Sequence, residues 1–61
     1  MASYELFLIR NGAPLERLTQ ECPDDFDALH RAKAFSRDYV VEVYEGIRLV
    51  GRVKEREANA S

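Results

Sequence analysis

The side chains with the most chemical reach in this chain are one histidine, one cysteine and a group of aspartates between them. His30 follows Asp27 by three residues, a spacing at which a carboxylate and an imidazole on one helix can share a hydrogen bond, and a catalytic acid or base can be built that way. Cys22 stands just ahead of a helix start, where the positive helix end can lower a thiol pKa. Neither is accompanied by what an active site needs: the chain has no second histidine, matched nucleophile, glycine-rich phosphate loop or nucleophile elbow. A histidine and a cysteine at no familiar spacing also fall short of the three or four ligands a metal takes. Asp24, Asp25 and Asp27 are accounted for by helix capping without a cation. His30 therefore reads as a solvated side chain and Cys22 as a small core thiol, with no catalytic residue, cofactor or metal expected.

Arg48, Arg52, Lys54 and Arg56 form a second constellation. A sheet that displays arginines beside aromatics can hold single-stranded nucleic acid by stacking and phosphate contact, and Tyr39 is expected beside Arg52. Glu42, Glu45, Glu55 and Glu57 offset this short row, so charges that protect a sheet edge are the first reading and nucleic-acid contact the alternative. Nine basic and eleven acidic residues give a net charge of -2, which provides no general field for nucleic acid or an anionic membrane. The longest apolar run, Leu6 to Ile9, is too short to span a bilayer, and the first residues lack the pattern of a secretory signal. A single cysteine leaves no internal disulfide, and a cytoplasmic location is expected.

The element that must position everything else is a helix expected from Asp24 to about Asp38. Pro23 breaks what precedes it, Asp24 can cap the first free amides, and Asp25 and Asp27 suit the positive end of the macrodipole. At about 100° per residue, Ala28, Leu29, Ala32, Phe35 and Ser36 share one arc, with Phe26 at its edge and His30, Arg31, Lys33 and Arg37 outside it. Two alanines in that stripe allow close approach to a flat partner. Strands are expected at Tyr4 to Arg10 and, after an Asn11-Gly12-Ala13-Pro14 turn, at Leu15 to Cys22, where a helical turn from Leu15 to Leu18 competes. Tyr39 to Tyr44 and Ile47 to Lys54 flank Glu45-Gly46 as a tight hairpin that would pair Tyr44 with Ile47, Val43 with Arg48 and Val41 with Val50. Gly51, inside the last strand, marks a bulge or a close approach.

These elements predict an α+β fold: a two-layer ββαββ sandwich with a four-stranded, mainly antiparallel sheet and one helix on one face. Residues 1–54 are expected to form the single domain and 55–61 a disordered tail. Strand order 2-1-3-4 is favoured over 2-1-4-3, which would set the first and last strands in parallel contact. The helix is expected to cover Tyr4, Leu6, Leu8, Leu18, Cys22, Tyr39, Val41, Val43 and Val50. Phe7, Ile9, Tyr44, Ile47, Leu49 and Val53 are then left on the other face, an apolar patch larger than soluble monomers usually expose. A second copy of the chain is the simplest cover for it, and the hairpin edges offer a docking place for an extended peptide of another protein.

Tyr4 to Gly12, the acidic helix start CPDDFDALHRAKAF and the final VEVYEGIRLVGRV together resemble a set of very short, functionally uncharacterised proteins common in alphaproteobacteria. That family often has tryptophan where this chain has Tyr44, and a basic residue after the Gly46 turn, here Arg48. The resemblance covers nearly the whole chain and implies a cytoplasmic bacterial protein with the same strand and helix order, but it supplies no activity. The function expected is a small non-enzymatic interaction or accessory module that forms a homodimer through its sheet. Nucleic-acid binding is the alternative, and an enzyme using His30, Asp27 or Cys22 comes last.

Overall fold

A computed structural model describes residues 1–54; the expected disordered tail and Arg56 lie outside the described residues. The chain runs β1 (Ala2–Arg10), β2 (Ala13–Cys22), α1 (Asp25–Lys33), β3 (Val40–Glu45), β4 (Arg48–Val53). The four strands form one antiparallel sheet in the order β2-β1-β3-β4, the favoured of the two expected orders. The helix lies against β2, β3 and β4 on one face, giving the two-layer sandwich. β1 and β4 are both antiparallel to β3 and hence parallel to each other, so the start of β1 and the end of β4 lie at opposite ends of the sheet.

Asn11 and Gly12 both take positive φ, 55° and 78°, as a two-residue primed turn requires, and Arg10 faces Ala13 across it. Leu15 to Leu18 is strand, not helix, because β1 offers a continuous ladder from Leu6 facing Leu18 to Leu8 facing Glu16. A register shift there leaves Leu15 as an extra residue, 57% exposed.

Asp24 caps α1 as expected: its backbone is extended and its carboxylate accepts a hydrogen bond from the Asp27 N–H at 2.9 Å. The helix stops at Lys33 rather than near Asp38. Beyond it the amides of Ala34, Phe35 and Ser36 bond three residues back, and the Ser36 hydroxyl donates to the Lys33 carbonyl at 2.9 Å, capturing an acceptor the helix would have used. Ala28 and Ala32 are wholly buried and Leu29 and Phe35 pack at the core margin, as the arc predicted. Phe26 is not at that margin but points outward, 83% exposed.

The β3–β4 hairpin departs from the expected register. Its two-residue loop is Gly46-Ile47, with Gly46 at φ 63° in the first loop position, so Glu45 faces Arg48 and Tyr44 faces Leu49. The register then shifts, and Val43 faces Gly51, Glu42 faces Arg52 and Val41 faces Val53. This bulge inserts Val50 as the extra residue and reverses which face every later residue takes. Gly51 combines both meanings assigned to it, since a Cβ there would lie 3.1 Å from Leu29 Cδ2 of the helix. The core is formed by Tyr4, Leu6, Leu8, Cys22, Ala28, Ala32, Val41 and Val43.

Candidate interaction face

Alternation along β1 sends Leu6 and Leu8 under the helix and Glu5, Phe7 and Ile9 to the open face. Pro14 faces Ile9, Tyr44 faces Glu5, and Leu49 faces Tyr44, so these side chains share that face. Phe7 and Tyr44 meet edge to face with ring centroids 5.5 Å apart. Around them Glu5, Phe7, Ile9, Pro14, Glu42, Tyr44, Gly46 and Ile47 line a shallow depression of about 610 Å³. Ile47 is fully exposed at the hairpin turn and Leu49 is half exposed beside it.

Charges cross this face in an ordered way. One row reads Arg17, Phe7, Glu42, Arg52 from β2 to β4. Glu42 accepts from Arg52 at 3.1 Å and, more distantly, from the Tyr44 hydroxyl at 3.4 Å. Arg17 is exposed and has no ion pair among the described residues.

A different polar cluster lies on the helix side. The buried Tyr4 hydroxyl donates to Asp25 Oδ1 at 2.8 Å, and Arg48 reaches both Asp25 oxygens, at 3.2 and 3.3 Å, while also pairing with Glu45. The hydrogen bond to Asp25, helped by burial, pushes the Tyr4 phenol up to about 12. Arg48 and then Tyr4, as donors, hold the Asp25 carboxyl below its usual range, and Arg48 is raised in return by Asp25 and Glu45. This cluster ties the start of α1 to β1 and β4.

Of the six residues expected on the open face, Phe7, Ile9, Tyr44, Ile47 and Leu49 are there. Val53 is not: the bulge turns it under the helix, facing Val41 and packing on the core. The same reversal divides the basic row. Arg48 joins Asp25 on the helix side and Arg52 joins Glu42 on the open face, so the two do not share a face. Lys54 lies apart from both, near Arg37, Asp38 and Tyr39. The guanidinium over Tyr39 is that of Arg10, 5.1 Å from the ring centre, and not Arg52. Alternation along β1 and β2 signals Glu5 and Arg17 on this face, whereas Pro14 joins them only because the extra residue Leu15 reverses the parity of β2.

Of the catalytic candidates, Asp27 lies beside Cys22, but His30 joins neither. Asp27 is paired with Arg31 at 3.1 Å instead of His30, which is exposed, and burial pushes the Cys22 thiol pKa up beneath the helix. Among the described residues no three potential metal ligands converge. No helix of the described residues is long and apolar enough to cross a membrane. No family model matches this chain, and neither a curated protein nor a solved structure gives a significant match.

Proposed function

We propose that this chain is a small non-enzymatic interaction module that self-associates through the helix-free face of its sheet. The observation that carries this reading is the grouping of Phe7, Ile9, Pro14, Tyr44 and Ile47 around one depression, with Leu49 beside it, on a face the described residues leave uncovered. Contiguous apolar patches of several hundred Å² are seldom left bare on monomers, and covering one stabilises by about 25 cal/mol per Å². A domain this small gains more from that than a large one, because its own core buries a lower fraction of the chain. A second copy supplies the same apolar surface and the same mixture of charges. The four-stranded face is only about 20 Å across, which places such a contact below the standard interface size and makes the dimer concentration-dependent. With Arg48 and Arg52 each engaged by carboxylates on opposite faces, a nucleic-acid partner is not part of the proposal. The kinship with short alphaproteobacterial proteins, and the cytoplasmic location that goes with it, belong to the same proposal.

Sedimentation equilibrium over a wide concentration range, with Leu49→Glu beside the parent chain, is the test. The parent should pass from monomer to dimer, and Leu49→Glu should remain a monomer with an unchanged circular dichroism spectrum. A parent that stays monomeric at every concentration would end this reading.

A further inference from the structure

The open face has a charge order that specifies how two copies would meet. Its central row runs Arg17, Phe7, Glu42, Arg52, with a cation on β2, an aromatic ring on β1 and a carboxylate on β3. Two sheets packed face to face are related by a two-fold axis lying between them, and an axis parallel to the strands exchanges left for right. If that axis runs over β1, Phe7 faces Phe7 of the second copy, and β2 of each copy lies over β3 of the other. Arg17 then meets Glu42 of the second copy, and by symmetry Glu42 meets its Arg17. An axis across the strands would instead oppose Arg17 to Arg17.

We propose, building on the self-association reading above, that the dimer is closed by this reciprocal pair, Arg17 of each copy on Glu42 of the other, flanking a Phe7–Phe7 centre. Arg17 has no ion pair among the described residues, and Glu42 retains acceptor capacity beyond its contacts with Arg52 and the Tyr44 hydroxyl. The roughly 10 Å separation of packed sheets is within reach of an arginine and a glutamate meeting end to end. The neighbouring row, Pro14, Ile9 and Val40, is apolar throughout and places Pro14 against Val40 of the second copy. Aligned sheets cross at about 30°, so with Phe7 at the crossing the two Glu5 side chains, roughly 7 Å along the strand, are offset by only about 3–4 Å, a like-charge approach that the two reciprocal pairs must outweigh.

The test mixes two variants that cannot dimerise alone. Arg17→Glu opposes two carboxylates at each contact. Glu42→Arg combined with Arg52→Glu opposes two guanidinium groups, yet keeps the ion pair between β3 and β4 in reversed form, so the hairpin retains its partner. Each variant is checked for the parent's circular dichroism spectrum and its mass is measured by sedimentation equilibrium. Each alone should dimerise about a hundredfold more weakly than the parent or worse, because like charges meet twice. Mixed in equal amounts, they place glutamate against arginine at both contacts, and a heterodimer should return to near the parent's affinity. Folded variants that dimerise as well as the parent, or a mixture that stays monomeric beside a dimeric parent, would overturn this pairing while leaving self-association standing. A monomeric parent would remove both.

Discussion

The Tyr4 hydroxyl, buried under the start of the helix and donating to Asp25, sets the alkaline and acid limits of this part of the fold. Its folded pKa of about 12 lies above the unfolded value near 10, so the folded state holds the proton more tightly. That contribution is complete below pH 10 and is lost as pH rises from there toward 12. Asp25 has the opposite sign: its folded value is depressed, so its contribution is present above the ordinary aspartate pKa near 4 and fades as pH falls below it. Phenolate absorbance should therefore show one of the three tyrosines ionising late, at about 12, and Tyr4→Phe should remove that step and flatten the stability profile between pH 10 and 12. The acidic helix start was legible in the sequence because capping is a local event: Asp24 bonds an amide three residues away. The Asp25 to Tyr4 and Arg48 contacts were not legible, since they span 21 and 23 residues and depend on the strand order and on the hairpin loop.

At the scale of elements, the hairpin of β3 and β4 is decided by one residue of register. Without the bulge at Val50, Leu49 and Val53 would share a face, as four-residue spacing in a strand dictates. With it, Leu49 is open and Val53 packs on the core. The same substitution at both sites separates the two cases. Val53→Glu should cost about 2–3 kcal/mol by bringing a carboxylate to an apolar margin, whereas Leu49→Glu should change stability by no more than about 0.5 kcal/mol, both read from urea unfolding at a concentration where the parent chain is monomeric. Equal costs would mean that the strand is regular. Strand and helix identities were readable from alternation and from the Pro23-Asp24 boundary, because each is written over several adjacent residues. The faces expected for Arg48, Leu49 and Val50 hold, but those of Arg52 and Val53 are reversed although Gly51 is visible, because a glycine signals that a strand deviates without saying which neighbour becomes the extra residue. The close approach of Leu29, a contact made only in the assembled sandwich, gives the physical reason for glycine at that position. The open face was legible to the extent that β1 and β3 alternate regularly, which correctly placed Phe7, Ile9 and Tyr44.

For the molecule as a whole, ββαββ order with β1 and β3 at the centre makes both hairpins depend on a single long-range ladder, from Glu5 facing Tyr44 to Ile9 facing Val40. One further property follows from β1 and β4 being parallel while both are bonded to β3. Tension applied between the start of β1 and the end of β4 pulls those strands in opposite directions along their own lengths, so the ladders on either side of β3 are loaded in shear and their hydrogen bonds must yield together. Tension between Ala2 and Cys22, which face each other across β1 and β2, would instead peel that ladder open one pair at a time. Single-molecule pulling with handles at Ala2 and Val53 should accordingly give a higher rupture force than with handles at Ala2 and Cys22. A small module built this way resists a load carried from one end of its sheet to the other, while a pull from one end opens the neighbouring β1–β2 ladder pair by pair.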